Sequence, residues 1–397
     1  MSAPGGRVHM TLRLPDRTGA AKMALEFALA LTEAEFDVTL IHGRVPARGP
    51  TILPDFGDIG ARTVLEPRLE RPYDPRLVPA LAKQVRDEQG VCVIGVNQRD
   101  RVPALLAAAR AGVPGVLMVQ NQHRFWGPKP VAWLKAGSYR AVVARRTTLA
   151  VCTSTVVRDE MTGFGVPAER TVVLPNGIDV PPAVELSARE RQQLRAEMGA
   201  RSGDLLLLNV GRLDLQKGQD LLLRALAAAD TARLHVALVG SAGDSAAARR
   251  TGRYAQSLRA LAAQQGLDDV VTFLGWRDDV GRLLAAADGY VHTARWEGPA
   301  LPLAVMEAMA AGRPTIFTDC SGLPPHFVPD RDGLVARTGD PASIAACLDR
   351  LTAVSDGERA AMGSRGAALI AGHYRVEALG RTFAGLIRGL VAQPAGL

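Results

Sequence analysis

Twice along this chain, short runs of aliphatic and β-branched residues alternate with helical stretches, and a polar segment separates the two series. The first series contains HMTLRL, DVTLIHG, ARTVLE, VCVIGVN, GVLMVQN, LAVCTS and TVVLPNG, with stretches such as AAKMALEFALALTEA and PALLAAARAG between them. The second repeats the rhythm with DLLLLNVGR, LHVALVG, VVTFLG, GYVHTA and PTIFT. These strands are apolar on both faces, so each needs cover on both, and the intervening helices supply it by returning the chain for parallel pairing. At 397 residues the chain also exceeds what one hydrophobic core supports. We therefore expect an α/β protein of two doubly wound, Rossmann-like domains, residues 1–180 and 204–375. The polar stretch 181–203 reads as a linker, and 376–397 as a helix crossing back to the first domain. In such sheets ligands bind beyond the carboxyl ends of the strands, so two facing domains imply an interdomain cleft.

With 47% hydrophobic and 22% charged residues the composition is that of an ordinary globular protein. No apolar run approaches the roughly 18 residues of a membrane span, and MSAPGGRVHMTLRL has no signal-peptide core. Cys92, Cys152, Cys320 and Cys347 are scattered in apolar contexts, which suits buried thiols in a reducing compartment. The expected location is cytoplasmic. Formal net charge is +7, and from Arg101 to Arg158 there are nine Arg or Lys residues and no Asp or Glu. Trp126, Trp133 and Tyr139 interleave with those bases. The basic rim of a cleft for an anionic ligand is the first reading, and weak peripheral contact with an anionic membrane through residues 124–146 is the second. Nucleic acid is not expected, because no recognition motif accompanies the charge.

The loops after the strands carry the chemistry. LPDRTGAAKMALE places Gly19 at the start of a helix, whose free N–H groups suit a phosphate. The pattern is not G-x-G-x-x-G, which argues against a nicotinamide dehydrogenase. In LLLLNVGRLDLQKGQDLLLRAL, Arg212 follows a strand end, and Lys217 precedes Gly218 and a new helix. A guanidinium and an ammonium around one strand–helix loop form a clamp for a diphosphate. Only five of the 47 basic residues are lysines, so a lysine here stands out.

VGRLDLQKG, ALVG, VTFLGWRDDVGRLLAAAD, EGPALPLAVMEAMAAGRP and DGLV follow one another as in the retaining glycosyltransferase family 4, which the chain resembles. TGAAKMALEFALAL and LAVCTSTVVRDEMTGFGVPAERTVVLPNGID extend the resemblance over nearly the whole length. It implies a GT-B fold, an acceptor-binding N-terminal domain and a C-terminal domain that binds a nucleotide-diphosphate sugar. By that resemblance Arg212 and Lys217 hold the diphosphate, Glu307 the ribose and Glu297 the donor sugar, with Gly19, Gly240, Leu301 and Leu303 completing the donor side. A carboxylate, being acceptor-only, suits vicinal hydroxyls. Glu297 and Glu307 stand ten positions apart, two more than in the family, and we place the insertion at Pro299–Ala300, in the turn before the helix. Ser321 and Pro325 also depart from the family pattern.

The acceptor side offers Asn97, Gln98 and Arg99 after one strand and Gln120 and His123 after the next. His123 is the catalytic candidate there, beside Arg212, Lys217 and Glu297; the alternative is a loop histidine without a role. Asp330–Asp332 resembles a metal motif but falls in a turn, and the seven histidines lack metal-ligand spacing. The expectation is a metal-independent hexosyltransferase-type enzyme without a cofactor, its donor serving as co-substrate. A GT-B epimerase and a non-catalytic sugar-nucleotide binding protein are the competing classes.

Overall fold

The computed structural model describes residues 4–17, 19–45, 51–71, 74–123, 129–180, 182–241, 248–298 and 300–392. Two compact units divide the chain: unit 1 is Met1–Gly177 with Val376–Leu397, and unit 2 is Ile178–Arg375.

Unit 1 is built on seven parallel strands: β1 (Arg7–Leu12), β2 (Asp37–His42), β3 (Arg62–Leu65), β4 (Gly90–Gly95), β5 (Gly115–Val119), β6 (Leu149–Cys152) and β7 (Thr171–Val173). Their order across the sheet is 3-2-1-4-5-6-7. The chain thus works outward from β1 to one edge, then restarts at β4 and works to the other, so helices cover both faces. All five residues of β5 are buried, as a central strand requires. Helix Val376–Val391 packs on helix Gly19–Glu33, where Phe383 stacks on Phe27 with centroids 4.3 Å apart. The guanidinium of Arg388 donates to the carbonyl of Ala34 at 2.6 Å, completing that end of the helix pair.

Unit 2 repeats the plan with six parallel strands: β8 (Leu205–Val210), β9 (Leu234–Val239), β10 (Val271–Gly275), β11 (Gly289–His292), β12 (Thr315–Thr318) and β13 (Leu334–Ala336). Their order is 10-9-8-11-12-13. Leu207, Val236, Val291 and Ile316 point into one apolar layer and Leu206, Leu208, Tyr290 and Phe317 into the other, which is the period-two alternation of a sheet covered twice. The three-residue β13 adds an edge that the sequence reading passed over, because LVA is too short to stand out in a Gly-containing turn.

One expectation is corrected. The segment read as a linker carries helix Ala188–Glu197, capped reciprocally by Ser187 and Glu190. Leu194 and Met198 are buried in the core of unit 2, and Arg195 pairs with Asp288 at 2.7 Å. The helix is polar because most of its surface faces water, and polarity was mistaken for a connection. Among the described residues no helix is long and apolar enough to cross a membrane.

Candidate active site

In a doubly wound sheet the loops diverge where the strand order reverses, leaving a crevice at the carboxyl ends of the two central strands. In unit 2 those strands are β8 and β11, so the loops 211–218 and 293–302 meet there. Their backbones approach closely: Gly218 has φ +67°, and a Cβ on it would lie 2.1 Å from the carbonyl oxygen of Thr293. On the other side, a Cβ on Gly240 would lie 1.8 Å from the carbonyl oxygen of Gly211. Only glycine fits either place.

This closeness brings residues 80 apart into contact. The ammonium of Lys217 forms an ion pair with Glu297 Oε1, and Glu297 is only 7% exposed. Gln216 Nε2 donates to Glu297 Oε2 at 3.3 Å and to the Trp296 carbonyl at 3.1 Å. Ser321 Oγ donates to the Glu297 carbonyl at 2.6 Å, a role for one of the departures from the family pattern. Burial works against the charge of Glu297, but Lys217 and a hydrogen bond with His292 outweigh it and hold the carboxyl down at about 2. Arg212 extends into solvent, 59% exposed, with its guanidinium 2.9 Å from Asp214. Arg295 grips both oxygens of Asp220 at 2.6 Å, in the first turn of helix Gln219–Leu226.

The structure thus joins Lys217 to Glu297 and places Arg212 on the same loop. Glu307 lies half-buried in the second turn of helix Leu303–Ala310, and its charge acts on the Tyr290 phenol. The side chain of Leu301 is buried in the apolar layer of unit 2, and that of Leu303 packs against it. Pro299, half of the insertion, lies outside the described residues, and its partner Ala300 is buried.

The remaining candidates are in unit 1. Gly19 starts the helix after β1, exposed; Asn97 and Gln98 follow β4, half-buried, and Gln120 follows β5, buried. The His123 ring lies against Tyr139 at a tilt of 41°, with centroids 3.9 Å apart, and meets the edge of Phe164 at 6.0 Å. Burial lowers its pKa to about 3, so it is neutral at physiological pH. Residues 124–128 of the basic stretch lie outside the described residues. Asp330 and Asp332 turn to separate guanidiniums, those of Arg350 and Arg331. Among the described residues no group of three His, Cys, Asp or Glu side chains is placed to hold a metal.

Two features escaped the sequence reading. His292, wholly buried at the end of β11, has Nε2 3.4 Å from Glu297 Oε1. Asp214 and Asp220 supply the counter-charges of the loop. The signal was present in GYVHTARWEG, where a histidine closes a strand five residues before Glu297, but nothing local tells a core histidine from one facing a site.

Residues 17–181 match the family model for glycosyltransferase family 4, and residues 204–353 that for glycosyl transferases group 1. A GDP-mannose-dependent α-(1-6)-phosphatidylinositol monomannoside mannosyltransferase of Mycobacterium tuberculosis is 30% identical over 305 residues, 72% of this chain and 73% of its own. The chain belongs to glycosyltransferase family 4. A second relative of this glycosyltransferase is the UDP-Gal:α-D-GlcNAc-diphosphoundecaprenol α-1,3-galactosyltransferase of Escherichia coli, 25% identical over 87% of each chain. The fold is GT-B: the crystal structure of Anabaena HepE in complex with UDP aligns with TM-score 0.80 at 19% identity, over 97% of this chain and all of that one.

Proposed function

We propose that this glycosyltransferase moves a sugar from a nucleotide-diphosphate donor to an acceptor hydroxyl, with retention of anomeric configuration and without a metal or other cofactor. The observation that carries the donor side is the Lys217–Glu297 pair at the switch point of unit 2, with Arg212 exposed on the same loop. Lys217, Arg212 and the N-terminus of helix Gln219–Leu226 supply positive charge where a leaving diphosphate needs it. Glu307 takes the ribose hydroxyls and Glu297 a hydroxyl of the sugar. Retention follows from attack on the face the diphosphate leaves, a phosphate oxygen accepting the acceptor's proton, as the family resemblance implies. Unit 1 takes the acceptor.

The named relatives use UDP-galactose and GDP-mannose, so both nucleotides belong in the first screen. Binding of UDP-, GDP- and ADP-sugars by calorimetry, then transfer followed by NMR, tests the reading. The product anomer is expected to match the donor's, and activity to survive EDTA. An inverted product, or activity lost to EDTA and restored by Mg²⁺ or Mn²⁺, contradicts the respective part.

The relatives' acceptors are linked to undecaprenol and to phosphatidylinositol, which supports a membrane-borne acceptor here. Lys135, Arg140, Arg145 and Arg146 are exposed on helix Lys129–Arg146 and would meet the anionic surface. Phosphatidylglycerol vesicles should then sediment the protein in low salt and release it in high salt. Reversing those four charges should abolish sedimentation, and its absence in the wild type would remove the membrane from the proposal.

A further inference from the structure

This inference rests on the reading of unit 2 as the donor site. Each cation of the two loops is already matched by a carboxylate: Arg212 by Asp214, Lys217 by Glu297 and Arg295 by Asp220. A sugar diphosphate arrives as a dianion. Placed on Lys217, it competes with Glu297 for one ammonium and leaves a buried carboxylate short of counter-charge, which is costly in a poorly hydrated place.

One titratable base is built against that carboxylate. The Tyr290 hydroxyl donates its single proton to the Val210 carbonyl at 3.2 Å. His292 Nδ1 lies 3.5 Å from the phenol oxygen, which keeps a lone pair able to accept. In the neutral ring the hydrogen belongs on Nε2, which faces the buried Glu297 Oε1 at 3.4 Å and donates to it, so Nδ1 is the site open to a second proton. Protonating Nδ1 makes the ring a cation, and the Nε2–H contact becomes a charge-assisted hydrogen bond on the oxygen that Lys217 also holds. While Lys217 is in place, burial keeps the imidazole below its ordinary pKa. The other titratable groups around it stay neutral or distant in effect: burial pushes the Cys320 thiol up to about 11 and raises the Tyr290 phenol, and Glu307 acts through Tyr290.

We propose that His292 is a positioning residue that takes a proton from solvent when the sugar-diphosphate donor binds, and so holds Glu297 in place while Lys217 turns to the diphosphate. Binding linked to protonation strengthens as pH falls. Donor affinity is flat below the pKa of His292 in the free protein, falls by about tenfold per pH unit between the free and bound pKa values, and is flat again above.

The test is calorimetry on the full chain with UDP-glucose and GDP-mannose, whose diphosphates do not titrate near neutrality, in Hepes and in Tris across pH 5.5–8.5. The dependence of binding heat on buffer ionisation heat counts protons taken up. The expected result is uptake approaching one proton in the wild type. In His292→Gln, whose amide still donates to Glu297 but cannot titrate, uptake and the pH slope should vanish while KM at acid pH rises. Binding with no proton uptake in the wild type overturns the proposal, as does undiminished uptake in His292→Gln. If circular dichroism shows that variant unfolded, the wild-type proton count alone decides. Failure of both nucleotide sugars to bind is a different result: it removes the donor site itself, and this inference with it.

Discussion

The two units use one topology and put opposite electrostatics at its switch point. In unit 2 the loops after β8 and β11 carry three ion pairs, and a buried histidine closes β11 beside one of them. In unit 1 the loops after β1 and β4 meet through the Arg13 N–H, which donates to Asp100 Oδ2 at 2.8 Å. Asp100 is 1% exposed, its Oδ1 finds no partner among the described residues, and burial pushes its carboxyl up to about 7. Its neighbour Arg101, equally buried, has one long hydrogen bond among the described residues, 3.5 Å to the Tyr139 hydroxyl. Asn97 and Gln98 precede them on the same loop, and Gln120 follows the neighbouring strand β5. A crevice of matched charges suits a polyanion that takes over one partner of each pair. Amides and a carboxyl whose charge is disfavoured by burial suit a hydroxyl-bearing molecule. The strand order decides where a ligand sits, and the loop residues decide which kind.

The sharpest way to break this contrast is at the unit 2 pair. Lys217→Ala should lower kcat/KM by roughly 10²–10³, the scale of one lost transition-state charge contact. It should also destabilise the fold by roughly 3–5 kcal/mol, since Glu297 is then a buried carboxylate without its cation. Arg212→Ala should cost similar activity but little stability, because a 59% exposed guanidinium holds little of the fold. Steady-state kinetics beside urea denaturation separates the two, and normal kinetics in both variants would end the donor assignment.

Next in size is Glu307→Ala, expected to weaken bare UDP or GDP and the whole donor alike by about ten- to a hundredfold, one hydrogen bond to a charged group. Glu297→Ala should instead spare the nucleotide and reduce transfer. Calorimetry with the nucleotide alone decides, and equal loss in both variants would dissolve the division between ribose and sugar contacts.

For unit 1 the prediction concerns pH. The folded carboxyl of Asp100 holds its proton to about 7 while the unfolded one releases it near the ordinary value of 3.8, so the folded state binds more protons between them. Its contribution to stability is therefore full below the unfolded value, declines as pH rises and is gone above about 7. Asp100→Asn removes that decline and keeps an acceptor for Arg13. Its Tm relative to wild type should rise from pH 4 to pH 7 by several degrees and then level. A constant difference across that range would show that Asp100 ionises normally.

Smallest is Ser321→Ala, which removes the 2.6 Å bond onto the Glu297 carbonyl. A loss of about 0.5–1.5 kcal/mol in stability and a few-fold fall in kcat are expected, with nucleotide affinity unchanged. A larger effect on the nucleotide would place Ser321 nearer the ribose than its bond implies.

Much of this was readable in the chain. Unbroken apolar strands separated by helices demand parallel sheets covered on both faces, and the strand ends mark where loops must converge. That sufficed to nominate Arg212 and Lys217, because a strand tip followed by a helix start is a local pattern. It failed at Ala188–Glu197, since a helix that buries only Leu194 along its length looks like a linker.

What the sequence by itself determined is the order of strands and helices, the number of sheets and the ends at which ligands are met, because these follow from periodicity and from the two faces each strand must hide. What only the tertiary structure decided is pairing. That Lys217 meets Glu297, that His292 lies against the same oxygen, and that Asp100 is sealed where its charge is disfavoured depend on loops of distant sequence closing within a few ångströms. Charge in a protein takes its strength, and even its presence, from what surrounds it, and a neighbour 80 residues away is invisible until the chain has folded.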